Sequence, residues 1–240
     1  MKKNILFLIT VLFSITVFGQ NRHLNIGYKN NGICFGNSEK HNGIRLNFWD
    51  INVKTYNGFN LSLYSSAEKA NGLGIGILMS NDKISNGIRI GGVGVRADII
   101  NGIAIGGLLA VAEYKFNGIG ISGFVTGADT MNGFFVSPLG MFSEGRSATE
   151  INGFSVGAVG ADTKKLNGIA IGMLNSADNQ NGLMIGFVMN KSHICKGVQI
   201  AVGNNETNYL QGIQIGLWNV AKNKKHFKRM PFLNFCFKKK

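Results

Sequence analysis

The chain has almost no proline, 2 residues in 240, and only 3 cysteines. Cys34, Cys195 and Cys236 are odd in number and unrelated in spacing, which excludes a disulfide-stapled scaffold. The first two read as small apolar residues inside repeats. Charge is sparse at 15% of residues, and acids number 12 against 25 Lys and Arg. Beyond the N-terminus, no stretch approaches the ~20 apolar residues that a membrane-crossing helix needs. The glycine-rich stretch from Gly87 to Gly94 lacks the GK[ST] ending of a phosphate loop. The serines read as lacking a nucleophile-elbow context.

What is abundant is glycine, 34 residues in a background that is 45% hydrophobic. The glycines do not recur at every third position, so collagen is excluded. The content of Ile, Leu, Val and Phe excludes disorder. Frequent glycine among β-branched residues points to many turns between short strands.

The N-terminus carries an export signal. Lys2 and Lys3 precede an apolar run from Ile5 to Phe18, and Val17 and Gly19 are small residues of the kind signal peptidase prefers. This predicts a signal peptide over residues 1–19, cleaved before Gln20. The net charge of +13 is concentrated at the ends. From Gln20 to Val220 the chain has 15 basic and 12 acidic residues, a net of only +3. Lys222, Lys224, Lys225, Lys228, Arg229 and Lys238 to Lys240 follow without an acid. No nucleic-acid-binding module accompanies them, so no nucleic acid is expected as partner. The basic C-terminus instead suits peripheral contact with an anionic envelope surface.

Internal periodicity dominates the remainder. Asn-Gly steps, or Lys-Gly and Gln-Gly equivalents, begin at residues 31, 42, 57, 71, 86, 101, 117, 132, 152, 167, 181, 196 and 211. Because Lys196 and Gln211 keep the glycine while losing the asparagine, glycine is the stricter requirement, as a positive-φ turn demands. The stretch after Asn132 through Gly145 and Arg146 reads as an enlarged loop. After each glycine come an apolar residue, a variable one, another apolar one and then a small one, as in Ile103-Ala104-Ile105-Gly106. Period-two alternation predicts a strand with the apolar columns inward. The variable column (Arg45, Asn60, Arg89, Phe135, Met184, Gln199, Gln214) is then expected to form a flat outward face. A second apolar segment, a recurring acid and a polar turn complete the unit.

The expected fold is all-β: a β-solenoid of about thirteen ~15-residue two-strand rungs, with every strand paired in parallel and stacked ~4.8 Å apart. Asparagine side chains stacked at one corner would form an amide ladder. The alternative is an outer-membrane-type β-barrel, disfavoured because antiparallel neighbours would repeat every second unit. The repeat domain spans 20–223, opening with an irregular first rung over residues 21 to 40. A basic capping strand and tail occupy 224–240, with the alternating stretch from Met230 to Phe237 closing the stack.

The series NGIAIG, NGLMIG, KGVQIA and QGIQIGLWNVAKN resembles the bacterial surface-repeat proteins, exported chains with Asn-Gly/Gln-Ile-Gly-Leu repeats. The resemblance covers residues 31 to 223 and implies a cell-envelope location (periplasm, outer membrane or cell surface) without implying a reaction.

The acids Glu68, Asp82, Asp98, Glu113, Asp129, Glu144, Asp162, Asp178 and Glu206 occupy similar places late in their units. They are expected to line one corner singly, whereas acid–base catalysis needs facing carboxylates. His23, His41, His193 and His226 share no spacing, so they read as surface residues without the convergence zinc requires. Trp49 and Trp218 suit cap packing or a sugar platform. No catalytic, cofactor-binding or metal-ligating residue is expected, and no cofactor. The functional expectation is a non-enzymatic exported envelope repeat protein, structural or adhesive, with an extended β face for a protein or glycan on a surface. A membrane-embedded pore and a carbohydrate-active β-helix enzyme are the alternatives.

Overall fold

The structure, a computed structural model, describes residues 23–141 and 148–237. The expected signal peptide, Glu144 to Arg146, and Lys238 to Lys240 lie outside the described residues. The chain forms β1 (His23–Tyr28), β2 (Asn31–Gly36), β3 (Lys40–Leu46), β4 (Thr55–Gly91), β5 (Gly94–Gly106), β6 (Leu109–Ser122) and β7 (Val125–Gly127). There follow β8 (Thr130–Val136), β9 (Gly140–Met141), β10 (Ala148–Val156), β11 (Asp162–Ala201), β12 (Asn204–Ala221) and β13 (Arg229–Cys236). The longest of these run through more than one repeat, because pairing with the neighbouring coil continues through the bend at the Asn-Gly step.

Repeats pair in parallel and in register, so that Asn86 lies against Asn101, Gly87 against Gly102 and Ile88 against Ile103. The same match of step to step recurs from β2 to β12. The result is a β-solenoid of about twelve coils. The coil that opens at the last step, Gln211, is covered by β13. The strand path runs from β1 to β13 without closing. That overturns the barrel alternative: successive units run parallel, and the two ends never meet.

Both ends depart from parallel pairing. The expected irregular first rung is instead a hairpin, with β1 antiparallel to β2 and Ile26 opposite Ile33. Its turn includes Lys29, at φ +55°. At the far end β13 lies antiparallel to β12, a closing strand as the alternation of its residues suggested. Pro231 falls where the register shifts between Gly216 and Asn219. A residue without an N–H is tolerated at such an irregular edge position.

The glycine of each step explains the constancy of the register. Gly102 sits at φ +132°, and a Cβ there would lie 2.0 Å from the carbonyl oxygen of Gly87. Gly197 and Gly212 hold the same conformation after Lys196 and Gln211, at φ +139° and +155°. The small column marks a second close approach: a Cβ on Gly106 would lie 1.8 Å from the Leu109 carbonyl oxygen, across the turn between the two strands of a coil.

The faces are inverted relative to the sequence expectation. The variable column points inward and is buried in every repeat, including Arg45, Asn60, Arg89, Phe135, Met184, Gln199 and Gln214. The paired apolar columns point outward, and none of their residues is buried. Period-two alternation assigns residues to a common face but does not say which face is enclosed. The variable column varies because it packs. A Cβ on Gly120 would come within 2.9 Å of both Phe116 and Phe135, and one on Gly74 within 2.3 Å of the Tyr56 hydroxyl. Small residues stand where a large neighbour needs the room, Gly74 beside Arg89 and Gly120 beside Phe135, so that neighbouring coils interlock.

Glycine is therefore expected to matter more than the asparagine before it. Gly102→Ala should lower stability by more than about 2 kcal/mol. Asn101→Ala, which loses two side-chain bonds at a partly solvated site, should cost about 1 kcal/mol. Urea denaturation of the two variants measures the order; equal losses would contradict the steric account.

Candidate docking face

Three ladders run along the outside of the strand that carries the Asn-Gly step. The first is made of asparagine amides. Nδ2 of each donates to Oδ1 of the one before it: Asn42 to Asn31 at 2.9 Å, Asn57 to Asn42 at 2.6 Å and Asn71 to Asn57 at 2.6 Å. The chain of bonds continues through Asn86, Asn101, Asn117, Asn132, Asn152 and Asn167 to Asn181. It stops where Lys196 replaces asparagine. The expected amide ladder is present, on the outer side of the bend.

The other two ladders are apolar. Every repeat contributes two residues, all Ile, Leu, Val or Phe, with neither a polar nor a small residue in the series. The caps extend it, because Leu24 and Ile26 lie opposite Phe35 and Ile33, and Leu233 and Phe235 lie opposite Ile215 and Ile213. Stacked residues shield one another in part, yet Ile88 remains 39% exposed, Ile121 41% and Ile215 44%. Where two phenylalanines meet they stack: the Phe134 and Phe154 rings are 5.0 Å apart and 2° from parallel.

The apolar surface continues round the tight turn. Ile77 and Leu78, Met173 and Leu174, Phe187 and Val188, and Leu217 and Trp218 all project there, exposed. Trp49 lies on this ridge, stacked on Tyr64 of the next coil at 4.7 Å. Fifteen paired strands at ~4.8 Å spacing, about 15 Å wide with the ridge, give an apolar surface on the order of 1,000 Å². The largest such patch on a typical monomer is about 300–600 Å².

Salt bridges also join successive coils: Lys54–Glu39 at 2.8 Å, Lys83–Glu68 at 3.4 Å, Lys165–Glu150 at 2.6 Å and Lys222–Glu206 at 2.7 Å, and Glu150 accepts from Asn167 of the amide ladder at 3.1 Å. Hydrogen bonding to the partner lysine lowers the Glu39, Glu150 and Glu206 carboxyls below the usual range. Such exposed pairs add little stability singly.

The interior holds the charges that sequence reasoning placed outside. Arg45 Nη2 is 2.9 Å from Asp50 Oδ1 with both side chains fully buried. Asn60 Nδ2 donates to the other oxygen of Asp50 at 2.9 Å. Arg89 Nε is 3.0 Å from Asp82 Oδ2, donates from Nη1 to the Gly72 carbonyl at 2.6 Å and packs on the Tyr56 ring. Asp82 is thus removed from the expected acid corner, because its side of the strand faces in. Asp82 Oδ1 is buried without a hydrogen-bond partner. Burial, opposed by Arg89, raises the Asp82 carboxyl to about 6.

The remaining acids of the corner that are described stay on the outer side, none of them buried. His23, His193 and His226 are exposed, but His41 is inside, its Nε2 3.0 Å from the Gly32 carbonyl oxygen. Among the described residues no three metal-ligating side chains come together. Cys34 and Cys195 are free and buried, as small core residues; burial pushes the Cys195 thiol up to about 12. Gly91 to Gly94 forms a coil turn, with a Cβ on Gly91 only 1.9 Å from the Gly94 oxygen. Gly153-Phe154-Ser155-Val156-Gly157 has the G-x-S-x-G spacing that the reading of the serines passed over. Ser155 is nonetheless an interior strand residue, its hydroxyl donating to the Ile169 carbonyl at 3.3 Å, without the strand-to-helix elbow that motif needs.

The apolar face and its ridge are what sequence reasoning missed as a site. The size complementarity of Gly74 with Tyr56, and of Gly120 with Phe116 and Phe135, was the available signal that the variable column lies inside. No family model, curated protein or solved structure matches the chain.

The raised Asp82 carboxyl sets the sign of a pH effect. Its folded value, about 6, lies above the ordinary 3.8, so protonation favours the folded state. That contribution is full below the ordinary value and is lost as pH rises through the raised one. Asp82→Asn leaves Arg89 without its counter-charge and should cost about 3 kcal/mol at neutral pH. The wild-type urea midpoint, relative to that of Asp82→Asn, should fall between about pH 4 and 6. Parallel midpoint curves would refute the assignment.

Proposed function

We propose that this chain is a non-enzymatic, exported cell-envelope repeat protein, a structural or adhesive element that holds an extended β face against a surface partner. The observation that carries the reading is the outward apolar face, continuous over all repeats and both caps. A soluble rod gains nothing from uncovered Ile and Phe columns, and apolar surface of this extent marks an interaction site. The docking face is therefore the apolar one, in place of the variable column.

Export is supported by the signal-like residues 1–19 and by the resemblance to surface-repeat proteins. The non-enzymatic reading is supported by the repeat itself, which distributes outer acids singly along the rod and turns the inner ones onto arginines.

Cell fractionation tests the proposal. The wild-type chain should sediment with the envelope and the triple variant Ile88→Ser, Ile105→Ser, Ile121→Ser should move to the soluble fraction, with circular dichroism unchanged. Retention that ignores the variant would sink the face as the docking site. A hydrolase or lyase activity lost on changing any Asp or Glu would sink the non-enzymatic reading.

A further inference from the structure

The shape and charge of the surroundings narrow the partner of that face, an inference that rests on the docking reading just given. Candidate occupants are a second rod, an added strand or a lipid surface. An added strand needs a free sheet edge, and the apolar residues project from the sheet's face. A second rod meets the face across one plane. The apolar surface here occupies two planes, because it turns the corner from the Ile columns onto the ridge of Phe124, Phe187 and Trp218. A flat partner leaves that ridge in water, whereas a fluid apolar medium covers both.

Register gives a second argument. The outward columns repeat the same residue types at every coil, so a second rod could slide by one coil with little change in contact. Surfaces of this uniformity specify pairing weakly. Lipid requires no register.

Charge gives a third. Lys224, Lys225, Lys228 and Arg229 follow one another without an acid. They adjoin β13, which continues the apolar columns through Leu233 and Phe235. Lys224 Nζ lies 5.8 Å above the Phe235 ring and donates to Asn234 Oδ1 at 2.7 Å. Phe227 and Phe232 beside them are 73% and 69% exposed. Cationic groups next to exposed aromatic rings suit an anionic lipid headgroup above an acyl boundary.

We infer that the rod lies along an anionic lipid surface, with its apolar columns and ridge sunk into the boundary and its remaining surface in water. It lies on the membrane without crossing it.

Vesicle flotation with the full purified chain tests this, using phosphatidylcholine alone and phosphatidylcholine mixed with phosphatidylglycerol. The chain should float with both and bind the anionic vesicles more tightly, with the Trp49 and Trp218 fluorescence shifted to the blue. The ridge variant Phe124→Ser, Phe187→Ser, Trp218→Ser replaces exposed side chains and leaves the backbone pairing between coils in place, and so tests binding without disturbing the fold. It should weaken binding by about tenfold or more. Sedimentation velocity without vesicles reports self-association. Wild-type binding by the ridge variant, absence of flotation, or a stable dimer that hides the face would each overturn the lipid assignment. If flotation fails while envelope retention still depends on Ile88, Ile105 and Ile121, only the lipid partner falls. If retention is independent of them as well, the docking reading falls too.

Discussion

Each coil rests on its predecessor through a glycine whose Cα stands where any side chain would strike a carbonyl oxygen. A Cβ on Gly118 would be 2.0 Å from the oxygen of Gly102, and one on Gly133 1.9 Å from that of Gly118. Both hold φ values near +130° to +140° that L side chains rarely adopt. Close approach at this point brings equivalent residues of successive coils into register, and the other features follow from it. Asparagines one position earlier meet as a ladder, apolar residues one and three positions later meet as columns, and the residue between those two is turned into the coil.

In-register stacking also explains why the interior changes character along the rod without interrupting the fold. Near the N-terminus it encloses Arg45–Asp50 and Arg89–Asp82. In the middle it is apolar, with Phe116 and Phe135 edge to face at 5.0 Å. Toward the C-terminus it holds amide ladders: Gln214 donates to Gln199 at 2.8 Å, Asn190 to Asn205 at 2.9 Å and Asn205 to Asn219 at 2.8 Å. A buried amide is tolerable when a like amide lies one coil away, because donor and acceptor repeat with the strand spacing. Each stretch needs compatibility only with its neighbours, as in other stacked repeats.

The outer surface carries the functional content. A rod that encloses Arg, Asn and Gln and exposes Ile and Phe separates its stability from its exterior: the coils hold together through backbone pairing, glycine contacts and interior ladders. The outward columns are then free to serve a partner. Apolar columns and a ridge that run the length of the rod suit a boundary between water and an apolar phase.

The repeat, the requirement for glycine, the parallel stack, the amide ladder and the closing strand were all legible in the residues. Each depends on spacing along the chain or on local backbone conformation. Lys196 and Gln211 alone revealed that glycine outranks asparagine. The N-terminal hairpin was not legible, since residues 23 to 36 pair with each other in a register that no repeat announces. Nor was the orientation of the strands. Alternation groups Ile103 with Ile105 and sets Ala104 apart, but only the closed coil decides which set is enclosed, through the volumes facing each other across a narrow interior. There the bulk of Tyr56, Phe116 and Phe135 had to be matched by Gly74 and Gly120, and the buried carboxylates by arginines. Local sequence determined the stack, and tertiary packing decided that its apolar side faces out.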